Sequence, residues 1–150
     1  MLAALAAPAP AEPPPPRADA CAVAPLANLP RIGERWPGVD GTYAGLSRGE
    51  DGQPDAHLVL LDAEPDCTLN WKAAIEWAHD QGEGARLPTR FESALLYAHL
   101  REKFDASQWY WTGTQYSAGD AWDQNFNDGN QSSNDKKYEA RARAVRRFAA

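Results

Sequence analysis

The stretch Trp109-Tyr110-Trp111-Thr112-Gly113-Thr114-Gln115-Tyr116-Ser117, followed by Ala121-Trp122-Asp123-Gln124-Asn125-Phe126 and then Asn127-Asp128-Gly129, decides the fold class. Its first four residues are aromatic or β-branched, the types that fit a pleated, half-buried surface. Ala121 to Phe126 alternates, with Trp122, Gln124 and Phe126 on one face and Asp123 and Asn125 on the other, and that period of two predicts a strand. Asn127-Asp128-Gly129 predicts a tight hairpin turn, because Asp-Gly tolerates the positive φ angles such turns need. Short, mostly antiparallel strands are expected here.

Upstream, the pattern changes to helices. Trp71, Ala74, Ile75 and Ala78 recur at three- and four-residue spacing, with Asn70 placed to cap the start and Gly82 beyond the end. Thr89-Arg90-Phe91-Glu92 is a capping box, in which hydroxyl and carboxylate each satisfy an orphan amide. Phe91, Leu95 and Ala98, with Leu96 and Leu100, form the expected buried stripe of this second helix, which should end near Arg101 to Phe104. Earlier still, Gly41 to Leu46 and Ala56 to Asp62 are strand candidates joined by the Gly-, Asp- and Pro-rich segment Arg48 to Pro54. His57-Leu58-Val59-Leu60-Leu61 is nearly all apolar and reads as a central strand buried on both faces. Downstream of the hairpin lie a very polar stretch, Asn130 to Lys137, and a last strand expected over Glu139 to Phe148. Strand, strand, helix, helix and several short strands make an α+β arrangement.

Residues 1–32 are rich in Pro and Ala, with the run Pro13 to Pro16, and read as an extended or flexible leader ahead of a domain over 33–150. Met1 to Ala7 is apolar but has no basic residue, a poor signal peptide, although a truncated one stays open. No apolar stretch approaches the ~18 residues that span a membrane. Cys21 and Cys67 are too few and too far apart for a metal site or a disulfide framework; they either pair with each other or remain thiols. The compartment is not determined.

The net charge of −6 argues against nucleic acid as a partner, since phosphate contacts need a basic face. The basic end of the chain, with Lys136, Lys137, Arg141, Arg143, Arg146 and Arg147 against Glu139 alone, reads as a solvated strand paired with acids elsewhere. Catalysis finds little footing. His57, His79 and His99 are scattered, no serine or cysteine has a nucleophile's setting, and no glycine-rich phosphate loop is present. Gly82-Glu83-Gly84 is better explained as a helix stop.

The segment from Gln115 to Glu139 is crowded with Asp, Asn, Ser and Lys and punctuated by Tyr116, Trp122 and Phe126. So many polar groups cannot all be buried without partners, so most must meet water or a ligand. It is either a long solvated loop or an adaptable binding surface of the kind antibody loops form from Tyr, Ser and Asn.

The 109–117, 121–126 and Asn127-Asp128-Gly129-Asn130-Gln131 runs resemble the bacterial and phage family of Lcl-type C-terminal lectin-like domains. So do Arg141-Ala142-Arg143-Ala144-Val145-Arg146, Leu87-Pro88-Thr89-Arg90 and the Gly41 to Leu46 strand. That family includes the target proteins of diversity-generating retroelements. The resemblance covers roughly Trp36 to Phe148 and implies a C-type-lectin-like fold with a variable region at about 109–148. In such targets mutation is directed to adenines, and Asn, Asp, Ser, Tyr and Gly are all reachable from an AAC codon. The resemblance thereby implies a variable, ligand-facing set at Tyr116, Gly119, Asp120, Asp123, Asn125, Asn127, Asp128, Ser132, Ser133, Asn134, Asp135 and Tyr138. Trp111, Trp122, Gln124, Phe126 and Gly129 would be scaffold. The implied ligand is a protein or a cell-surface molecule, glycans included.

Trp122-Asp123 resembles part of a calcium-dependent sugar site, but no Glu-Pro-Asn or Gln-Pro-Asp loop accompanies it, so no obligatory metal and no cofactor are expected. A fixed phage tail-fibre or surface adhesin binding glycans is the alternative function. An enzyme of the formylglycine-generating group, which shares the lectin fold, lacks its cysteine pair here. The sequence leaves the oligomeric state open.

Overall fold

A computed structural model of the protein describes residues 28–150. Its elements run β1 (Gly41–Ser47), β2 (Ala56–Leu61), α1 (Trp71–His79), α2 (Arg90–Leu100), a 3-10 turn (Arg101–Lys103), β3 (Trp109–Gln115), β4 (Asp120–Asn125), β5 (Gln131–Asp135) and β6 (Val145–Ala149). Two helices and two three-stranded antiparallel sheets, ordered β1-β2-β6 and β3-β4-β5, make an α+β protein. The expected leader lies almost wholly outside the described residues, as does Cys21 and with it any pairing to the exposed Cys67.

The apolar strand β2 is central in its sheet, with Leu58, Val59 and Leu60 buried between its neighbours' faces. Its register with β1 shifts between Tyr43 and Gly45. The bulge turns the Ala44 carbonyl to accept a hydrogen bond from His99 Nδ1 at 2.6 Å, tying β1 to α2. Gly45 sits there at φ +115 with the His99 ring against it, where a Cβ would be both strained and crowded.

Both helices start as expected. Asn70 Oδ1 accepts from the Ala73 amide at 2.9 Å, and the Thr89–Glu92 box is complete. The buried face of α2 differs from the expected stripe: Glu92, Ser93, Leu96 and Leu100 are inside, whereas Phe91 is 64% exposed, Ala98 is exposed and Leu95 is half-buried. The cause is an ion pair that pulls the other side of the helix inward. Glu92 accepts from both Arg86 terminal nitrogens, at 2.6 and 2.9 Å, and from the Thr89 amide at 2.9 Å, with Arg147 Nε of β6 a further 3.5 Å away. A capping residue is thereby also the charged centre where three elements meet.

The last strand begins at Val145, later than Glu139. Ala140 pairs with Leu69, Arg141 with Tyr110 and Val145 with Arg86, so this segment stitches the two sheets together instead of lying in one. Ala140, Ala142 and Ala144 are small enough to pass against Trp111, Ala74 and Ala78 in the core. Of the six basic residues at this end, only Arg143 and Arg147 have an acid within ion-pair distance among the described residues, and Arg143 is not solvated. It is buried, donating to the carbonyls of Leu61 at 2.9 Å and Lys103 at 2.7 Å, with Glu64 at 3.3 Å. A second core packs Leu96 and Leu100 of α2 on Tyr110 and Phe126, with Phe104 stacked on Phe126 at 3.7 Å.

Candidate ligand-binding surface

The polar stretch after the hairpin turn is a strand, β5, which periodicity did not reveal because it has no apolar face. It pairs with β4 from Asp120↔Asp135 to Gln124↔Gln131 and forms the outer edge of its sheet. The turn between them closes at Asn127-Asp128-Gly129, with Gly129 at φ +77 and the Tyr97 ring packed against it. Asn125 Oδ1 accepts from the Asp128 amide at 3.1 Å and Asp128 Oδ1 from the Asn130 amide at 2.9 Å, so two of the polar side chains hold the turn's shape.

Alternation divides the seven candidate positions that lie on β4 and β5 between two faces of the sheet. Asp120, Ser133 and Asp135 share a face with Trp122, Gln124 and Gln131; Asp123, Asn125, Ser132 and Asn134 share the other with Trp111. Tyr116, 57% exposed, joins the first face by setting its ring edge-on to Trp122 at 5.2 Å. Tyr138, 47% exposed, lies edge-on to Trp111 at 6.5 Å. Gly119, Asn127, Asp128, Ser132 and Asp135 are exposed, and Asp120, Asn125, Ser133 and Asn134 are half-buried.

Asp123 stands apart at 1% exposure. Asn134 Nδ2 donates to its Oδ2 at 3.3 Å, and its Oδ1 has no hydrogen-bond partner among the described residues. Burial pushes its pKa up to about 6, against the smaller opposing effect of the Asn134 hydrogen bond. It is not gathered with other acids: among the described residues, no group of three His, Cys, Asp or Glu side chains is placed to hold an ion. The residues here do not fit a calcium site. The histidines are separated as well, His57 Nδ1 hydrogen-bonded to Tyr43 OH at 2.8 Å and His99 to Ala44.

Beneath the polar positions lies a buried amide relay. Gln124 Nε2 donates to the Ser93 carbonyl at 2.7 Å, and Gln131 Nε2 donates to Gln124 Oε1 at 2.8 Å and to the Arg90 carbonyl at 2.6 Å. The relay fixes the N-terminal turn of α2 against the sheet. It also brings in Arg90, a member of the capping box and of the Leu87-Pro88-Thr89-Arg90 run, which was not among the twelve candidate positions. Its guanidinium lies 3.6 Å from the centre of the Trp122 ring. No local signal could have found it, since Gln131, its hydrogen-bond partner, is 41 residues away in the chain.

No helix of the described residues is long and apolar enough to cross a membrane. No family model matches the chain, and no curated protein matches it. Among solved structures it is similar to a crystal structure of botrocetin, at 12% identity, covering 78% of this chain and 100% of that one with a TM-score of 0.47.

Proposed function

We propose that the protein is a ligand-binding module without catalytic function, built on a C-type-lectin-like fold, whose surface from Tyr116 to Tyr138 is diversified by a retroelement. The observation that carries this reading is the contrast within one sheet. Tyr116, Gly119, Asn127, Asp128, Ser132, Asp135 and Tyr138 are exposed on β3–β4–β5 and its connections, over buried Trp111, Gln124 and Phe126. A rigid base beneath outward positions tolerates change, because surface substitutions usually cost within about 0.5 kcal/mol. Supporting the lectin-like part is the motif resemblance together with the α+β arrangement of two helices and two small antiparallel sheets.

In this reading the two exposed tyrosines are the energetic anchors, with large contact area and little entropy to lose, and Asp, Asn and Ser tune specificity around them. Asp123 contributes from inside, by its packing against Asn134, without touching the ligand.

The encoding DNA tests it. A reverse transcriptase gene and a near-copy of the gene's 3′ end should lie beside the locus, differing from it only at adenines and at the codons of the exposed positions. Without that copy diversification is lost, and a fixed tail-fibre or cell-surface adhesin takes its place, with glycan binding as the assay.

A further inference from the structure

Arg90 opens α2, and its guanidinium is held before any ligand arrives. Its Cζ lies over the Trp122 ring, 3.6 Å from the ring centre, and its Nε donates to Gln131 Oε1 at 3.1 Å, Gln131 being fixed in turn by Gln124 and the Arg90 carbonyl. A planar guanidinium anchored by a ring and an amide has lost much of its rotamer freedom in advance. Its two terminal nitrogens nevertheless donate no hydrogen bond among the described residues. No carboxylate lies within ion-pair distance of it, which is true also of Arg31, Arg48, Arg101, Arg141 and Arg146 among the described residues; what sets Arg90 apart is that its guanidinium is held by both a ring and a side-chain amide.

What surrounds it is polarised. Exposed Tyr116 borders Trp122 on one side, and the exposed Phe91 ring lies 5.8 Å from the guanidinium on another. One row along the same face, Asp120 and Asp135 stand directly opposite each other, two like charges with no cation in ion-pair range among the described residues. Like charges so placed are destabilising unless a counter-charge arrives. Rows on one face of a strand are about 7 Å apart.

Resting on the reading of this sheet as a ligand-binding surface, we infer that Arg90 recognises a carboxylate of a protein partner. An Asp or Glu side chain takes the two terminal nitrogens as a bidentate pair, Tyr116 and Phe91 exclude water beside it, and a Lys or Arg of the same partner meets Asp120 and Asp135 one row away. A protein fits better than an acidic glycan for two reasons. A uniformly anionic ligand would be repelled by the two aspartates, whereas a protein supplies both signs. Small ligands also prefer concave sites; one cavity of about 440 Å³ lies elsewhere, between Val39 and Arg146, and the other, between Leu46 and Leu95, meets this face only at Phe91. An open face carrying Trp, Tyr and Arg has the composition of a protein–protein hot spot.

The test uses a random dodecapeptide library displayed on phage, selected on the whole protein and then measured as synthetic peptides. Binding of the selected peptides should fall about tenfold or more for Arg90→Gln, and by a similar factor when the peptide's acid is changed to its amide. The two changes together should cost no more than either alone. Arg90→Lys, which keeps the charge but loses the planar fork, should bind nearly as weakly, with thermal melting of each variant reported alongside. Peptides that lose affinity with Tyr116→Ala and Tyr138→Ala but are indifferent to Arg90 overturn this inference and leave the surface reading intact. Peptides indifferent to all of these positions, or no selected peptide at all, overturn both. Arg90-dependent binding to an array of sialylated or uronic glycans, with none to peptides, overturns the choice of a protein.

Discussion

Asn134 Nδ2 of β5 donates to Asp123 Oδ2 of β4 at 3.3 Å, across a diagonal of the sheet, while Asp123 Oδ1 is buried with no hydrogen-bond partner among the described residues. A carboxylate in that position is tolerated far better protonated than charged.

The consequence is a pH dependence of stability. Burial raises Asp123 from 3.8 to about 6 in the folded protein, so between those values the folded state binds more protons than the unfolded one. Its contribution is therefore most favourable below pH 4 and becomes less so as pH rises, until above pH 6 the charged form costs about 3 kcal/mol. Asp123→Asn should accordingly raise stability at pH 7.5 and flatten the profile between pH 4 and 6 in urea melts. A variant less stable than the parent at pH 7.5 would sink this account.

Removing the charge of Glu92 should destabilise the protein. Buried at 1% exposure between Arg86 and Arg147, Glu92 is the one carboxylate within ion-pair distance of either among the described residues, and Glu92→Gln leaves both without a counter-charge. Losing one member of a buried ion pair costs about 3–5 kcal/mol. Thr89→Ala, which removes only a cap, should cost about 1 kcal/mol. Equilibrium urea unfolding separates the two, and equal losses would mean that the ion pair adds nothing to the cap.

On α2 the exposed and buried aromatic and aliphatic residues can be told apart directly. Leu96→Ala should cost about 2–5 kcal/mol, as large-to-small changes in a packed core do. Phe91→Ala, at an exposed position, should change stability by no more than about 0.5 kcal/mol. Thermal melts of the pair decide whether the inward face is the one carrying Glu92 and Leu96.

Gly129→Ala tests the β4–β5 turn. The residue sits at φ +77, and a Cβ there would come within 2.6 Å of the Tyr97 ring. Strain and crowding together should cost about 1–3 kcal/mol, read as a lowered urea midpoint. Hydrogen exchange should report loss of protection at the Asn125 amide, which donates to the Asn130 carbonyl.

Local signals were sufficient wherever the deciding interaction was itself local. Asn70 and Thr89 announce their helices because a cap is satisfied within three residues. Asp128-Gly129 announces its turn because backbone conformation is a property of the residue. The β2 run announces a central strand because only burial on both faces suits it. β5 was silent, since Gln131 to Asp135 has no apolar residue and is a strand only because β4 offers it a ladder. The inward face of α2 was misleading for a related reason. Phe91 looks like core, yet the position of Arg86 and Arg147 turns Glu92 inward, and hydrophobicity alone does not register an ion pair formed from three parts of the chain.

The polar candidate positions share that division. Composition was enough to mark 115–139 as a region too polar to bury, and therefore as the part of the molecule that meets water or a ligand. Which of those side chains point outward depended on register, and register sorts residues by alternate faces. It left Asp123 inside, Tyr116 on Trp122, and Arg90, unmarked in the sequence, stacked on the same tryptophan. The sequence by itself determined both helices with their caps, strands β1 to β4, the β4–β5 turn and the polar character of the segment after it, because these follow from interactions spanning a few residues. Only the tertiary structure decided which groups are buried, paired or left unpaired, because that depends on residues some 30 to 80 positions apart being brought within about 4 Å.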